Sequence, residues 1–376
     1  MFKISKLIIN YLKTYFIFFF VFILSFIIKI TSKKVTSKTK SITCFLYGGI
    51  GDQLIIIDRL NSISDQYEIK VYLDYKFKFL SDFLKTKKIA FYRKKNKFNF
   101  IKSVIRDKKT NQIYFSNSAN YIHLIIYLIG NFSSFIGYLG NFEKIMFGSE
   151  YFKTNQKNRY TSIKIIFDHL IKIKKDTQKF KFDLKKISNR VLEISKAKPY
   201  IVLNIFKTSY WGDVSLPLKV WKNFIIRNTY LSKLNIILVG DNSQIYKSEV
   251  FYKFISSLNV INLTGKTDFY ELGYLISNSK FVICNDTGIM HLSNFCKKKN
   301  LSIFTFSDPE VYANKAFTNT LFNKKYKCQP CISLSKVGCD NHPPLCFNNY
   351  NCAKTIIEDD LENEFNNFLE AKENNF

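Results

Sequence analysis

Acidic residues are scarce in this chain of 376 residues. The 29 Asp and Glu stand against 57 Lys and Arg, leaving a formal charge of +28. Such an excess favours anionic partners: phospholipid surfaces, phosphorylated small molecules or nucleic acid. The basic residues are scattered, and zinc-finger, RRM and basic-zipper patterns are missing, so nucleic acid is not the expected partner. No solenoid-type repeat is present, which sets aside stacked-repeat architectures. No small-x-small site follows the apolar N-terminal run, which argues against a cleaved signal peptide. Glycine is missing where two nucleotide fingerprints need it. Gly49-Ile50-Gly51 has Leu54 in place of the third glycine of a dinucleotide turn, and Gly265-Lys266-Thr267 lacks the upstream glycine of a P-loop.

What is present is apolar and long. With 47% hydrophobic and 17% aromatic residues the chain has material for sizeable cores, and its length suits two domains. Thr14 to Ile28 carries no charge. At about 1.5 Å per residue that run falls short of a hydrocarbon core of about 30 Å. Leu7 to Leu12 extend it backwards, with Lys13 able to snorkel. A single-pass anchor is expected over residues 1–40, with an interfacial helix as the alternative. Lys29, Lys33, Lys34, Lys38 and Lys40 outnumber Lys3, Lys6 and Lys13, which favours the cytoplasmic face of the inner (cell) membrane for the rest of the chain.

After Lys40 the pattern is α/β. Strands are expected at Ser41–Tyr47, Glu68–Leu73, Ala90–Arg93 and Gln112–Phe115, alternating with helical stretches at Asp82–Lys87 and Phe98–Arg106. Tyr160–Ile173 has helical spacing, and the charged Lys175–Asn189 reads as a linker. The second half restarts with strands at Pro199–Asn204, Asn235–Gly240, Val260–Leu263, Phe281–Cys284 and Leu301–Thr305. Alternating strands and helices imply parallel sheets with crossover helices. The expected division is residues 41–190, residues 191–354 with a Cys-rich segment at 328–352, and a C-terminal helix in 355–376 that crosses back onto the first domain.

Two turns carry chemistry. Asn285-Asp286-Thr287-Gly288-Ile289-Met290-His291 joins an apolar strand to a helix. Gly288 permits close backbone approach, Thr287 can cap the helix or bond a phosphate oxygen, and the amides of a helix start attract anions. His291 lies one turn further on. A phosphorylated ligand is the functional reading; an ordinary capped turn is the bland one. The second turn, Gly48-Gly49-Ile50-Gly51-Asp52, breaks the first strand, and Asp52 is either a helix cap or a carboxylate placed for proton transfer.

Taken together, the Gly48–Asp52 turn, the Trp211 and Pro217–Trp221 segment, Asn262-Leu263-Thr264-Gly265-Lys266-Thr267 and Asp286-Thr287-Gly288 with His291 resemble glycosyltransferase family 9, the ADP-heptose:lipopolysaccharide heptosyltransferase family. The resemblance spans about Ile42 to Cys352. It implies the GT-B arrangement, two Rossmann-like doubly wound domains with a cleft between them. It also implies an inverting, metal-independent transfer of heptose or a related sugar from a nucleotide-diphosphate sugar to a lipopolysaccharide or other surface-glycan acceptor, lipid-linked, at an anionic membrane. Asp52 matches the proposed general base; Lys266, Thr267, Asp286, Thr287, Gly288 and His291 match the donor-phosphate side. One departure stands out. The family commonly has a lysine shortly before the position of Pro217, where this chain has Val214 and Ser215; Lys207 or Lys219 is the substitute cation. That gap keeps open a family member that only binds nucleotide or glycan. An unrelated nucleotide-binding α/β protein, such as an oxidoreductase, is the other rival.

No cofactor is required for the expected reaction. Cys328, Cys331, Cys339, Cys346 and Cys352 cluster late, with His342 nearby. Cys328, Cys331, Cys339 and Cys346 are candidate ligands of a structural zinc, but the usual second Cys-x2-Cys is missing, so reduced structural thiols are the alternative.

Overall fold

Ser41–Leu46, almost entirely buried, begins a sheet whose strands all run the same way. The computed structural model describes residues 41–46, 48–93, 112–116, 134–137, 158–171, 177–209, 212–256, 258–331 and 351–373. The expected anchor, the helix at Phe98–Arg106, and Cys339, His342 and Cys346 lie outside those residues. Among the described residues no helix is long and apolar enough to cross a membrane. Two compact units divide the chain, the first within residues 1–154 and 166–177, the second within residues 155–165 and 178–376.

In the first unit β1 (Ser41–Leu46), β2 (Glu68–Asp74), β3 (Ile89–Tyr92), β4 (Gln112–Ser116) and β5 (Ser134–Gly137) form a parallel sheet in the order β3-β2-β1-β4-β5. Phe45 and Tyr72 sit opposite each other in the register and stack at 4.5 Å. Helix α1 (Ile50–Ile63) buries Leu54, Ile57 and Leu60 at helical spacing, together with Ile55, Ile56 and Ile63. Each such side chain contributes about 1.5–3 kcal/mol when fully buried. The helix expected at Asp82–Lys87 is replaced by tight 3-10 turns over Tyr75–Phe83. Asp74 starts them early by accepting from the Lys76 amide at 3.2 Å. Asn61 ends them, donating to the Phe83 carbonyl at 2.7 Å and accepting from the Lys85 amide at 2.9 Å.

In the second unit the main sheet is parallel, in the order β10-β9-β6-β11-β12-β13. Its strands are β6 (Tyr200–Asn204), β9 (Asn235–Leu238), β10 (Val260–Asn262), β11 (Val282–Asn285), β12 (Asn300–Phe304) and β13 (Thr318–Phe322). A small antiparallel pair, β7 (Thr208–Ser209) and β8 (Gly212–Asp213), interrupts the chain after β6. The helices are α2 (Arg159–Ile171), of which only residues 159–165 belong to this unit, α3 (Asn189–Ala197), α4 (Leu218–Arg227), α5 (Ile245–Phe254), α6 (Phe269–Asn278), α7 (Gly288–Phe295) and α8 (Glu358–Glu373); the short turn at Pro309–Tyr312 is left without a label. Both sheets start in the middle and reverse direction of growth once, as doubly wound folds do.

One expectation is corrected here. The C-terminal helix α8 packs in the second unit, where Phe365 contacts Phe224 at 5.5 Å and Phe281 at 5.7 Å, and Asn223 donates to Glu358. Leu361, Phe365 and Phe368 are fully buried, and that apolar stripe fixes its location. The segment read as a linker contains the boundary between the two units, at Thr177 and Gln178, and its second part packs on the second unit: Phe180 meets Phe295 at 5.4 Å, Phe182 meets Tyr270 at 5.1 Å, and the Asp183 amide donates to the Tyr270 hydroxyl. Its lysines masked alternating aromatic residues.

The Asn262–Lys266 turn is held by its own hydrogen bonds. Asn262 Oδ1 accepts from the Thr264 amide and the Ser248 hydroxyl, and the Gly265 amide donates to Gly240 at 3.0 Å. Gly265 has φ +70, and a Cβ there would lie 2.7 Å from Ile245 Cδ1. Gly265→Ala is therefore expected to cost about 1–3 kcal/mol, read as a fall in Tm on thermal unfolding. An unchanged Tm would mean the turn is not held this tightly.

Candidate functional site

In a doubly wound sheet, ligands sit beyond the carboxyl ends of the strands where the strand order reverses. In the second unit that point lies between β6 and β11. The chain leaves β6 as Ile205-Phe206-Lys207 and leaves β11 as Asp286-Thr287-Gly288, so topology alone brings Lys207 and Asp286 to one place. Lys207 Nζ donates to Asp286 Oδ2 at 3.3 Å, with the two side chains 5% and 12% exposed. The Ser307 hydroxyl, following β12, donates to the same carboxylate oxygen. The Phe306 ring lies 4.2 Å below the Lys207 ammonium. Burial pushes the Asp286 carboxyl up, but Lys207, the Ser307 hydroxyl and His291 outweigh it and hold the group below its ordinary range.

Of the two candidate cations, Lys207 is the one that stands at the Asp286 turn. The β7–β8 pair folds the chain back on itself, so the Lys207 amide donates to Ser215 Oγ at 2.7 Å and the Val214 amide donates to the Lys207 carbonyl at 3.2 Å. Lys207 thus stands beside Val214 and Ser215 in space, although seven positions from Val214 in sequence. Lys219, on α4, is exposed. Pro217 caps that helix and Trp221 is wholly buried, so the Pro217–Trp221 segment serves the core.

Thr287 caps α7, its hydroxyl accepting from the Ile289 amide at 3.3 Å. The residues from Asp286 to Ile289 are half-buried, between a buried strand and the buried remainder of the helix. The start of α7 is therefore partly accessible, with the positive end of the helix dipole there. His291 Nδ1 is 2.6 Å from the Tyr160 hydroxyl, with the rings stacked at 5.8 Å. A chain of buried amides fixes this contact. Asn300 Nδ2 donates to the Phe317 carbonyl and to Asn294 Oδ1, the Thr318 hydroxyl donates to the same Asn294 oxygen, and so Asn294 Nδ2 is the end that donates to Tyr160. Tyr160 thus accepts from Asn294 Nδ2 and is also bonded to His291 Nδ1, where the donor is set by the tautomer of the ring. Three further polar atoms gather at the same strand ends. Asn204 Oδ1, Asn285 Oδ1 and Thr305 Oγ1 are buried and make no hydrogen bond among the described residues. Buried polar atoms of that kind mark a site built for polar company.

The other expected residues are placed as follows. Lys266 follows β10, with β9 and β6 standing between β10 and β11. It is 42% exposed, donates to the Asn262 carbonyl at 3.3 Å and lies 3.7 Å from Glu249. Thr267 is half-buried. Neither has a hydrogen bond to the Asp286 turn. Asp241, the acidic residue after β9, accepts from the Ser243 amide and so caps its own turn. In the first unit β1 ends at the reversal between β1 and β4. Gly48 and Gly49 are exposed and Gly51 is buried in α1. Gly48 has φ +92, and Asp52 accepts from the Gly49 amide at 3.3 Å. Cys328 is exposed and Cys331 half-buried; among the described residues no group of three His, Cys, Asp or Glu could hold a metal ion. Tyr160, Asn294 and Ser307 had no signal in the sequence beyond membership of an expected helix or loop.

Tyr160→Phe removes the hydroxyl that orients His291 and leaves Asn294 Nδ2 unpaired. It is expected to cost about 1–2 kcal/mol of stability and to weaken binding of a nucleoside diphosphate several-fold, read by thermal unfolding and titration. No change in either would show that His291 does not depend on Tyr160.

The family model described as glycosyltransferase family 9 (heptosyltransferase) matches residues 155–338. No curated protein matches the chain. Among solved structures, the family 9 glycosyl transferase of Veillonella parvula DSM 2008 is 14% identical with a TM-score of 0.64, covering 90% of this chain and 100% of its own. E. coli ADP-heptose LPS heptosyltransferase II is 12% identical with a TM-score of 0.59, over 89% of this chain and 99% of its own. E. coli heptosyltransferase WaaC with ADP is 13% identical with a TM-score of 0.55, over 74% of this chain and 92% of its own. At such identities these likenesses concern the fold, an α/β architecture with parallel sheets like that of GT-B heptosyltransferases. Residues 155–338, which contain Lys207, Asp286, His291 and the turn between β11 and α7, are thus the part of this chain that is similar to glycosyltransferase family 9.

Proposed function

We propose that this chain is a member of glycosyltransferase family 9 and transfers heptose or a related sugar from a nucleotide-diphosphate donor to a lipid-linked lipopolysaccharide or surface-glycan acceptor, with inversion and without a metal. The observation that carries the reading is the buried Lys207–Asp286–Ser307 cluster beside the half-exposed start of α7, at the strand-order reversal of the second unit. Asp286 fixes the position of the Lys207 ammonium. A diphosphate at the helix start meets that ammonium, the first-turn amides and the His291 ring. These groups are held before the reaction begins, and such preorganised donors stabilise the charge that develops on a leaving diphosphate. Asp52 accepts the proton of the acceptor hydroxyl as it attacks the anomeric carbon. WaaC with ADP and with ADP-2-deoxy-2-fluoro heptose, both similar in fold, support a nucleotide-sugar donor. The reading as a binding-only member rested on the missing lysine; the position of Lys207 beside Asp286 supports the catalytic reading instead. Residues 1–40 and their lysine flanks support a place at the cytoplasmic face of the inner membrane.

A thermal-shift screen of the full chain with ADP-, GDP-, UDP- and CDP-sugars and with NAD tests the donor class. One nucleotide-sugar family is expected to raise Tm. A rise with NAD and with none of the sugars would favour the oxidoreductase rival.

A further inference from the structure

The first unit carries an exposed cluster that the catalytic reading does not use. The sequence from Tyr75 to Phe79 alternates aromatic and basic residues, and its 3-10 turns begin where β2 ends. Tyr75 is 44% exposed and meets Phe91, 48% exposed, edge to face at 6.3 Å. Arg93 lies over the Tyr75 ring at 4.8 Å and Lys78 over the same ring at 5.5 Å. Lys76 lies over Phe77 at 4.3 Å, and Phe77 meets Phe79 at 6.2 Å. Lys76, Lys78 and Arg93 are exposed. Of the two acidic neighbours, Asp74 is buried and bonded to the Lys76 amide, while Asp82 is exposed at the far end of the turns.

We propose that this surface docks on an anionic phospholipid bilayer. Half-exposed aromatic rings are placed where an interface accepts them, at headgroup depth, and the cations beside them meet lipid phosphates. The arrangement disfavours single-stranded nucleic acid, which stacks its bases on open ring faces. Here Lys76, Lys78 and Arg93 already lie over the faces of Phe77 and Tyr75. The cluster sits at the carboxyl end of the sheet that also carries the Gly48–Asp52 turn. The Tyr92 hydroxyl, on β3, donates to the Leu46 carbonyl at the end of β1. Lipid docked here would be presented on the same edge as Asp52; that last point rests on the proposed function, whereas the docking itself does not.

The test uses the full chain with Tyr75→Trp and vesicles of phosphatidylcholine with or without phosphatidylglycerol, carrying acyl chains brominated near the headgroup. The signal of Trp211 and Trp221 is subtracted with the parent chain. Emission from the introduced tryptophan is expected to shift to the blue and to be quenched by the anionic vesicles. Lys76→Glu, Lys78→Glu and Arg93→Glu together are expected to remove roughly half of that quenching or more, even where residues 1–40 still carry the protein to the vesicles. Phe91→Trp, read in the same way, gives a second report from the neighbouring ring. The proposal is overturned if neither tryptophan is quenched while the chain sediments with lipid. It is equally overturned if neutral vesicles quench as well and charge reversal has no effect. Protection of the introduced tryptophan by inositol hexakisphosphate, with none by vesicles, would instead assign the surface to a soluble phosphorylated ligand.

Discussion

Lys207→Met is expected to lower sugar transfer by about a hundred- to a thousandfold, the range found when one preorganised donor to a developing negative charge is removed. The same change is expected to destabilise the fold by about 3 kcal/mol, because it leaves the Asp286 carboxylate buried without its cation. Ser307 keeps its bond to Asp286, which places the cost at the lower end for such pairs. The double variant Lys207→Met, Asp286→Asn separates the two effects. It removes the unpaired charge, so most of the stability returns while transfer stays low. The pair also sets an acid limit. Asp286 is held below its ordinary range, so its contribution is present above the usual carboxylate pKa and is lost as pH falls through the folded value. The double variant is expected to lack that part of the acid-side loss in thermal unfolding measured against pH. Full transfer by the double variant would remove Lys207 from the donor side.

Asp52→Asn is the second large effect. Replacing a general base is expected to slow transfer by about a hundred- to ten-thousandfold. The amide keeps an oxygen that can accept from the Gly49 amide, so α1 keeps its start and Tm should hold. Donor binding should hold as well, since the groups proposed to hold the donor are in the second unit. Initial rates and Tm, measured together, decide between the two readings of this residue. Turnover equal to that of the parent chain would leave Asp52 as the helix cap seen in its 3.3 Å bond.

The strands with continuous apolar runs were legible from residues alone. Ser41–Leu46, Tyr200–Asn204 and Val282–Asn285 are almost fully buried, and a buried parallel strand has no polar face to confuse the pattern. The strand at Thr318–Phe322 was missed because it is an edge strand of Thr, Asn, Thr, Leu and Phe with its middle half-buried. The extent of the turns after β2 depends on Asn61, which reaches them across more than twenty positions of sequence. The same reason hid much of the site. The Asp286 turn itself is local and readable. Its partners come from Ser307, from Tyr160 far upstream on α2, and from Lys207, which the β7–β8 pair returns to Val214 and Ser215. Spacing along the chain cannot foretell that return, because a short hairpin erases the distance it measures.

The central claim is that Lys207 and the start of α7 hold a nucleoside diphosphate for a reaction whose base is Asp52. Its most direct test is equilibrium titration of the donor found in the screen into three proteins: the parent chain, the Lys207→Met, Asp286→Asn variant and Asp52→Asn. The account predicts binding by Asp52→Asn as tight as by the parent, and affinity weaker by about tenfold or more for the double variant, as the loss of a charge-assisted bond requires. Equal affinity in all three proteins would contradict it.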